Sequence, residues 1–477
     1  MWVMVRHSEY FGPEVGPSEI GSSTSSPPCI FLYQRTGQAY IEIVNYPKES
    51  NCDVDIGLLR SLEYNGTIDY ARWNIEVVQS KEFTEFSEAL DIQPPTFNPI
   101  RVDAKEDVQR LDQNLCSPPI VIQAPPLKPP VDASHILFGV ATTIERLDSS
   151  LEAFSRWASG TKARVVSIVE PDEFQNTTEV LQHAEQLDIR LHIIESDEEF
   201  LDRYYMLTRT LLELHDDTTQ WAVIIDDDTF FPSMEGLVND LASYDHTRPY
   251  YIGAPTESLQ QMASFTFMAY GGAGVFLSIP LLKEIDVHYD DCYDNKDTGD
   301  KRVAWCVYTY TTTKLTWDRR LFQLDLTNDG SGFYESGRPL PLSVHHWKSP
   351  DWYPIDIVNM SKISDICGDD CQLRRWKLTD EWFLINGFSL VKYSSPMSAE
   401  DLASIEQTWE YYRWTEDDQY GFSIGPLRPR DNKKITYQLI GAVSEQNRVR
   451  QIYAREPDWG NDLENPQVLE IVWTLTS

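Results

Sequence analysis

The chain has 477 residues, of which 41% are hydrophobic and 12% aromatic, so the composition excludes a wholly disordered protein and the length allows two or three domains. The formal net charge is −35, from 40 basic and 75 acidic side chains. Because this charge would repel a phosphate backbone, it argues against a nucleic-acid partner. A small anionic nucleotide stays compatible, since a metal ion and a few basic residues could neutralise it locally.

The first 130 residues form a region of their own in the sequence. Residues 1 to about 40 are rich in Ser, Pro and Gly, which predicts a loose segment. Short alternating runs from Phe31 to Val78 predict strands. The proline-rich stretch 90–130 predicts a linker laid along a surface, so we place the first boundary at residue 130.

Regular alternation of strands and helices begins after residue 130. Apolar runs predict strands at 135–143, 163–171, 191–196 and 221–225, and amphipathic runs predict helices at 146–157, 179–187 and 200–215. This order predicts an α/β fold with a mostly parallel, Rossmann-like nucleotide-binding sheet. No G-x-G-x-x-G motif follows the first strand, which disfavours a dinucleotide ligand.

The stretch Trp221–Pro232, WAVIIDDDTFFP, carries the strongest functional signal. Its apolar residues predict a buried strand, and three aspartates then stand at the carboxyl end of that strand. Side chains alternate along a strand, so Asp226 and Asp228 are expected to share a face while Asp227 points elsewhere. Two such carboxylates could bind Mn²⁺ or Mg²⁺ and, through it, a diphosphate. The alternative is a solvated acidic turn.

Three later motifs complete the candidate site. Gly271, Gly272 and Gly274 would allow close approach of the backbone to a ligand, although a plain tight turn is the alternative. An acidic loop is expected at 286–302. His345 and His346 follow an apolar run and could supply a metal ligand; core or surface histidines are the alternative. Residues 377–477 alternate in β fashion and predict a β-rich C-terminal appendage.

Seven cysteines give an odd count, and none of their spacings resembles a zinc site. Cys367 and Cys371 are close enough in sequence for a local disulfide, as are Cys292 and Cys306 across a short excursion. Sequons at Asn65, Asn176 and Asn359 give weak support for a secretory location. The N-terminal apolar run is too short for a signal peptide or a membrane span, so either the protein is cytosolic or its native start lies upstream.

Taken together, Thr142, Thr143 and Arg146 after the first strand, then DDDTFF, YGGAG and SVHHWKS, resemble the Fringe-like glycosyltransferases of family 31. The likeness is greatest to the fungal branch, related to core 1 galactosyltransferases and Fringe, and covers residues 135 to 350. NGFSLVKY and GPLRPR near the C-terminus also resemble fungal members. The resemblance implies a GT-A domain over 131–376, between the N-terminal region 1–130 and the appendage 377–477.

The family resemblance also implies roles for single residues. Asp228 matches the aspartate that binds the metal, with Asp226 beside it, and His345 matches the second protein ligand, with His346 as fallback. Asp300 matches the general base, with Asp290 and Asp291 as rivals, because Lys301, Arg302 and Ala304 depart from the family pattern. The residues expected around the donor nucleotide are Thr142, Thr143, Arg146, Asp226, Asp227, Gly271, Gly272 and Gly274.

The function implied is inverting transfer of a hexose or N-acetylhexosamine from a UDP-sugar to a hydroxyl of a glycan or glycoprotein, with Mn²⁺ or alternatively Mg²⁺. A Golgi or secretory-pathway location follows from the family, with membrane association only through an anchor that this sequence does not show. Two alternatives stay open: a retaining or otherwise different nucleotide-sugar enzyme on the same fold, and a degenerate member that binds glycans or acts as a scaffold.

Overall fold

A computed structural model describes residues 3–5, 29–35, 38–44, 53–103, 105, 107–110, 118–171, 177–410, 421–458 and 462–476. Several predictions fall outside the described residues: most of the Ser-, Pro- and Gly-rich segment, the sequon at Asn176, and Cys52 and Cys116. Among the described residues, no helix is both long and apolar enough to cross a bilayer.

The strands, in chain order, are β1 (Val3–Val5), β2 (Cys29–Arg35), β3 (Gln38–Val44), β4 (Asp53–Asp55), β5 (Gly66–Gln79), β6 (Asn98–Val102), β7 (Val108–Arg110), β8 (Ile120–Ala124), β9 (Ile136–Thr142), β10 (Arg164–Val169), β11 (Arg190–Glu195), β12 (Trp221–Ile225), β13 (Tyr251–Gly253), β14 (Val275–Ser278), β15 (Leu315–Trp317), β16 (Arg375–Lys377), β17 (Trp382–Ile385), β18 (Ser389–Lys392), β19 (Ile405–Glu406), β20 (Leu427–Arg428), β21 (Ile435–Glu445), β22 (Arg448–Arg455) and β23 (Gln467–Thr476).

The α-helices are α1 (Ile56–Ser61), α2 (Ile144–Ala158), α3 (Thr177–Gln186), α4 (Phe200–Leu214), α5 (Met234–Leu241), α6 (Leu259–Phe265), α7 (Ile279–Asp286), α8 (Tyr289–Tyr293), α9 (Gly299–Tyr310), α10 (Ser331–Tyr334), α11 (Ile357–Ser361), α12 (Ser364–Cys367) and α13 (Ala399–Ala403). Short 3₁₀ turns occupy Gly271–Ala273, Asp369–Cys371 and Thr379–Glu381.

A seven-stranded sheet, in the order β11-β10-β9-β12-β14-β13-β15, forms the centre of the Rossmann-like part. Strands β11, β10, β9 and β12 are parallel, whereas β14 runs antiparallel to both of its neighbours. Every residue of β9 and β12 is buried, because helices cover both faces of the sheet. The predicted α/β fold is confirmed, and β12, which leads directly into Asp226, is central.

Local sequence explains where the helices beside this sheet begin. The Thr143 hydroxyl accepts a hydrogen bond from the backbone N–H of Arg146 and caps α2, and Ser233 caps α5 in the same way through Gly236. In α2 the buried side chains, which include Leu147, Leu151 and Phe154, recur on one face and pack against the sheet. Capping therefore fixes Arg146 in the first turn after β9.

The C-terminal region is β-rich, as predicted, but it does not stand alone. Strands β16, β17, β18, β21, β22 and β23 share one nine-stranded sheet with β5, β6 and β8 from the N-terminal region. Strand β23 pairs in parallel with β5 from Gln467–Asp69 to Thr476–Val78. The sequence pattern did not predict this pairing, because the hydrophobic pattern gives strands and not their partners.

Two local predictions are wrong. The stretch 90–130 is not only a linker, since it contributes β6 and β8, both paired with β5. The expected acidic loop 286–302 contains α8 and the start of α9, which its charged composition concealed. The structure contains both disulfides that the spacing allowed, Cys292–Cys306 between these two helices and Cys367–Cys371.

Candidate active site

The three aspartates after β12 diverge as the strand geometry predicts. Asp226 and Asp228 both face His345: its Nε2 lies 2.9 Å from Asp228 Oδ1 and 3.4 Å from Asp226 Oδ2. Asp228 and His345 are almost fully buried, at 3% and 4% exposure, whereas the Asp226 side chain is one-third exposed. The alternative of a solvated acidic turn therefore does not hold for Asp228.

Asp227 points away from the histidines and is held by basic and hydroxyl groups. Arg146 donates two hydrogen bonds to its carboxylate, at 2.7 and 2.5 Å, and the Thr142 hydroxyl donates another. Lys348 Nζ lies 3.4 Å away. Thr142 and Arg146, expected around the nucleotide, are thus engaged with Asp227, and the Arg146 side chain is still 49% exposed toward the cavity.

The two adjacent histidines are each oriented by an acceptor behind the ring. His345 Nδ1 lies 3.0 Å from the carbonyl oxygen of Gln323, and His346 Nε2 lies 3.1 Å from Asp325 Oδ1. Because these atoms only accept, those ring nitrogens carry the hydrogens. In their neutral forms, the two rings would therefore present the lone pairs of His345 Nε2 and His346 Nδ1 on the Asp228 side. His346 Nδ1 is buried and has no hydrogen-bond partner in the described part of the chain.

Asp228, His345 and His346 present one ligand atom each within 4.8 Å of one another. His346 Nδ1 lies 4.0 Å from Asp228 Oδ2, and its ring stacks on Trp352 with centroids 4.4 Å apart. One carboxylate and two imidazoles form a donor set that divalent transition metals accept. The unpartnered nitrogen of His346 is the observation that fits a metal here, and it raises His346 from fallback to a ligand candidate equal to His345.

The electrostatics of this cluster favour a cation. Burial alone would raise the pKa of Asp228, but His345 and the Ser349 hydroxyl, which donates at 2.5 Å, hold it well below the usual value. Burial lowers the pKa of His345, yet Asp228 and Asp226 outweigh this effect and raise it well above its ordinary value. The raised pKa shows that the two carboxylates favour a positive charge at His345. A bound metal ion would supply that charge in place of the proton.

A cavity of about 300 Å³ opens over these residues. Its lining comprises Ala141, Thr142, Thr143, Arg146, Phe200, Asp226, Asp227, Asp228, His345, His346 and Ser349. Eight of these eleven were singled out from the sequence. Ala141, Phe200 and Ser349 were missed; Phe200, 48% exposed at the start of α4, could have been noticed as an apolar side chain at a helix terminus.

The glycine-rich loop packs closely against side chains of the site. Gly271, Gly272 and Gly274 are absent from the cavity lining. A Cβ on Gly272 would lie 2.1 Å from Nδ1 of His345, and one on Gly271 would lie 2.5 Å from the Tyr204 hydroxyl. The missing side chains therefore make room for residues of the site, while Gly274 has φ of +97°.

Asp300 lies beside this cluster, in the first turn of α9. Its Oδ2 accepts a hydrogen bond from the backbone N–H of Gly271 at 3.3 Å. Burial, followed by the negative charge of Asp226, raises the pKa of Asp300 to about 6. The rivals lie elsewhere: the Asp290 side chain is 93% exposed near Arg209, and Asp291 accepts from the Tyr310 hydroxyl.

Comparisons with known proteins add the following. The family model described as "Protein of unknown function, DUF604" matches residues 260–363, the segment that holds the glycine loop, Asp300 and both histidines. No curated protein matches. Similar solved structures include the glycosyltransferase GlyE of Streptococcus pneumoniae TIGR4, with 12% identity, 45% of this chain and 55% of that chain covered, and a TM-score of 0.31.

Two further structures show the same level of similarity. The mannosyltransferase PcManGT of Pyrobaculum calidifontis, solved with GDP-Man and Mn²⁺, is 13% identical over 42% of this chain and 60% of that chain, with a TM-score of 0.30. The galactosyltransferase LgtC is 10% identical over 47% of this chain and 95% of that chain, with a TM-score of 0.32. The site geometry, and not these similarities, carries the functional argument.

Proposed function

We propose that the chain is a metal-dependent, inverting glycosyltransferase of the GT-A type that transfers a sugar from a UDP-sugar to a hydroxyl of a glycan or glycoprotein. The observation that carries the proposal is the cluster at the carboxyl end of β12: Asp228, His345 and His346 converge on one point, with Asp226 and Asp300 on its flank. Open α/β sheets bind their ligands at this edge.

Asp228, His345 and His346 would hold the metal ion, which supplies positive charge against a diphosphate leaving group. We propose Mn²⁺, because the set mixes a carboxylate with imidazoles; Mg²⁺, which prefers oxygen ligands, fits less well. Arg146, which lines the same cavity, and Lys348, whose Nζ lies 3.4 Å from Asp227, add positive charge there. Arg146 and Lys348 bind the diphosphate, and Thr143 and Phe200 line the rest of the donor pocket.

Asp300 is the proposed base for the acceptor hydroxyl. Inversion requires a group that removes the acceptor proton from the side opposite the leaving group, and an aspartate with a pKa of about 6 is ionised at neutral pH yet basic enough to do so. Asp290 and Asp291 are set aside, because both lie on α8 in contact with Arg209 and Tyr310.

The family-level part of the proposal rests on motif order. The matched family model covers the segment 260–363, which contains YGGAG, Asp300 and SVHHWKS, and that family includes Fringe-like proteins of glycosyltransferase family 31. This supports the resemblance drawn from the sequence. Membership of the fungal branch, the assignment of the GT-A fold to residues 131–376, and a Golgi or secretory-pathway location belong to the same proposal.

Calorimetric titration of UDP into the protein with Mn²⁺ present tests the metal site. Asp228→Ala should abolish Mn²⁺-dependent UDP binding, because it removes the carboxylate that lies 2.9 Å from His345 and 4.0 Å from His346. Asp290→Ala is the matched control, since that side chain is exposed and remote, and it should bind like the wild type. Equal UDP affinity in the two variants would contradict the assignment.

A panel of UDP-sugars, assayed for UDP release with and without Mn²⁺, separates the proposed enzyme from its alternatives. Release with one donor and an acceptor supports the transferase, and product anomeric configuration decides inversion. Binding of UDP without any release would favour a degenerate member.

A further inference from the structure

A second cavity, of about 290 Å³, lies along the same edge of the seven-stranded sheet as the candidate active site. It opens where β13 and β15 end, and Pro255, Glu257, Trp317 and Phe322 form part of its wall. Neighbouring strands are about 4.8 Å apart, and β15 is three strands from β12, so the two cavities lie on the order of 10–15 Å apart along the sheet.

Three arginines, Arg319, Arg320 and Arg338, line this second cavity in a chain whose net charge is −35. Arg320 is neutralised by Asp318 and Asp240. Within the part of the chain that the structure describes, neither Arg319 nor Arg338 forms an ion pair with a carboxylate. Among the described residues, these two guanidinium groups at one cavity have no carboxylate at ion-pair distance, so they are available to an anion.

The surrounding side chains hold these arginines in place. The guanidinium of Arg319 lies 4.8 Å from the Trp317 ring centroid. That of Arg338 lies 4.7 Å from the Phe322 ring and 4.4 Å from the Phe333 ring, and its Nε donates to the Ser336 hydroxyl. Stacking on aromatic rings leaves the outer N–H groups of a guanidinium free to donate, which suits a planar or tetrahedral anion.

Glu257, the carboxylate among the described residues of the wall, faces inward. Both oxygens of Glu257 accept backbone hydrogen bonds, from Gln323 N–H at 3.0 Å and Leu324 N–H at 2.8 Å. Burial and the charge of Asp325 raise the pKa of Glu257 to about 7, so part of its charge is absent at neutral pH. Glu257 therefore competes weakly with a bound anion for the two arginines.

An aromatic surface connects this cavity to Asp300. Phe265 and Phe267, 37% and 45% exposed, line an open depression that Lys301 also borders. Lys301 follows Asp300 directly, and the Phe267 ring packs edge-on against Trp317 at 6.1 Å. No residue of helix α6, which contributes Phe265, is fully buried.

We propose that the cavity lined by Trp317, Arg319 and Arg338 binds an anionic group of the acceptor, a carboxylate or a phosphate ester on a carbohydrate chain. The rest of that chain lies across Phe267 and Phe265 and brings a hydroxyl to Asp300. The identification of the ligand as an acceptor rests on the proposed transferase function. The anion site itself rests on the two arginines alone.

Equilibrium calorimetry with three probes of equal length tests the site: galactotriose as the neutral probe, trigalacturonate for carboxylates and galactotriose 6-phosphate for phosphate esters. At least one anionic probe should bind about tenfold more tightly than the neutral one, as charge-assisted hydrogen bonds typically give. Which anionic probe binds more tightly identifies the group. The preference should shrink as salt is added. Equal binding of all three probes would overturn the proposal.

Variants separate this cavity from other basic surfaces. Arg319→Gln and Arg338→Gln should each remove most of the preference, whereas Arg209→Gln, at a half-buried ion pair with Asp286, should leave it unchanged. Arg338 packs between two aromatic rings, so its replacement by Gln also tests folding. Arg338→Lys, which keeps the positive charge, and Arg319→Gln, at an exposed position, therefore serve as controls against misfolding. A preference that survives Arg319→Gln and Arg338→Gln in folded protein would refute the site.

Parallel UDP titrations with Mn²⁺ distinguish the two proposals. An anion preference without UDP binding would leave the cavity assigned and refute the transferase, and the reverse would refute the cavity alone. With both present, Arg319→Gln should raise KM for the anionic acceptor and leave kcat and UDP affinity unchanged.

Discussion

Asp300 is the residue whose environment most directly ties structure to catalysis. It lies half-buried at the start of α9, next to the one-third exposed Asp226, and receives hydrogen bonds from the backbone N–H groups of Gly271 and Lys301. These donors lower its pKa, but burial and Asp226 prevail and raise it to about 6. Burial and the nearby negative charge destabilise the ionised form of this carboxylate, so it accepts a proton more readily than an ordinary aspartate does.

We expect Asp300→Asn to lower sugar transfer by about 10²–10⁴-fold, the usual worth of general-base catalysis, while UDP-sugar binding changes little. The amide keeps the shape and removes the basicity. Steady-state kinetics beside donor titration measures both. Asp291→Asn, on the exposed surface of α8, serves as the matched control. Full activity in the Asp300 variant would transfer the role to another group.

The rate of transfer should rise with pH through about 6 and then level off. The base acts only when ionised, and its raised pKa places that change near 6 instead of near 4. A pH–rate profile of kcat/KM from pH 5 to 8 measures it. The same limb should be missing from the residual activity of Asp300→Asn; a limb that persists there would belong to another titrating group.

Ionisation of the same carboxylate should lower the free energy of unfolding as the pH rises. Its pKa is higher in the folded protein than in the unfolded chain, so between about pH 4 and 6 the folded state binds more protons and stability falls with increasing pH. Asp300→Asn should therefore have a higher Tm than the wild type at pH 7.5, and the gap should close toward pH 4. Thermal unfolding at the two pH values decides this, and an unchanged gap would contradict the raised pKa.

At the scale of elements, the glycine loop and the histidine segment are built to fit each other. The 3₁₀ turn Gly271–Ala273 lies against His345, the Gly272 carbonyl accepts from Thr229, and the Ala273 N–H donates to the Gln323 side chain. The Gln323 carbonyl in turn accepts from His345. The loop thus sets the ring position of a proposed metal ligand.

Gly272→Ala should weaken Mn²⁺-dependent UDP binding by at least tenfold, because the new Cβ would lie 2.1 Å from His345 Nδ1 and push the ring away; loss of a supporting contact typically costs a metal site about 10–100-fold. Gly236→Ala in α5, where a Cβ meets only ordinary contacts, is the control and should bind normally. Unchanged affinity in both variants would show that the ring position is not set by this loop.

The sequence predicted the helices and strands around the site more accurately than it predicted which distant strands pair with one another. Periodicity in β9, α2, α4 and β12 is strong because each element buries one face or both, and the predicted and observed bounds differ by one or two residues at most ends. The prediction of a loop at 286–302 is wrong because this stretch is rich in charged residues, a composition typical of loops. The buried faces of α8 and of the start of α9 contain too few apolar residues to show a helical pattern.

Within the site, the sequence indicated the cavity residues that belong to local motifs and missed those that act from a distance. Gln323 and Asp325 orient the two histidines from about twenty residues away, and no local pattern marks them. Likewise, a single sequence could not show that Gly272 makes room for a ring. Such roles depend on tertiary contacts, which appear only when the chain is folded.

At the scale of the whole molecule, the Rossmann-like part and the β-rich part share one core. Apolar side chains of the β-rich part, such as Phe383, Ile385 and Trp409, belong to the same buried cluster as Phe231 and Trp157 of the Rossmann-like part. This cluster joins residues on both sides of the boundary drawn from the sequence at 376. The two parts are expected to stabilise each other.

A fragment that spans only residues 131–376 should therefore lack cooperative thermal unfolding, because it exposes the apolar surface that residues 377–476 cover. A fragment spanning residues 53–476 should unfold in one transition. Circular dichroism against temperature measures both. Cooperative unfolding of the shorter fragment, with UDP binding intact, would show that the Rossmann-like part is an independent domain.

The parallel pairing of β5 with β23 also gives the molecule a direction of mechanical resistance. Ten residue pairs align from Asp69–Gln467 to Val78–Thr476, and both strands run the same way. A force applied between residues 66 and 476 slides one strand along the other, so the hydrogen bonds of the ladder bear the load together. A force between residues 79 and 476 pulls at one end and opens the bonds in succession. In optical-tweezer experiments the first geometry should break at the higher force.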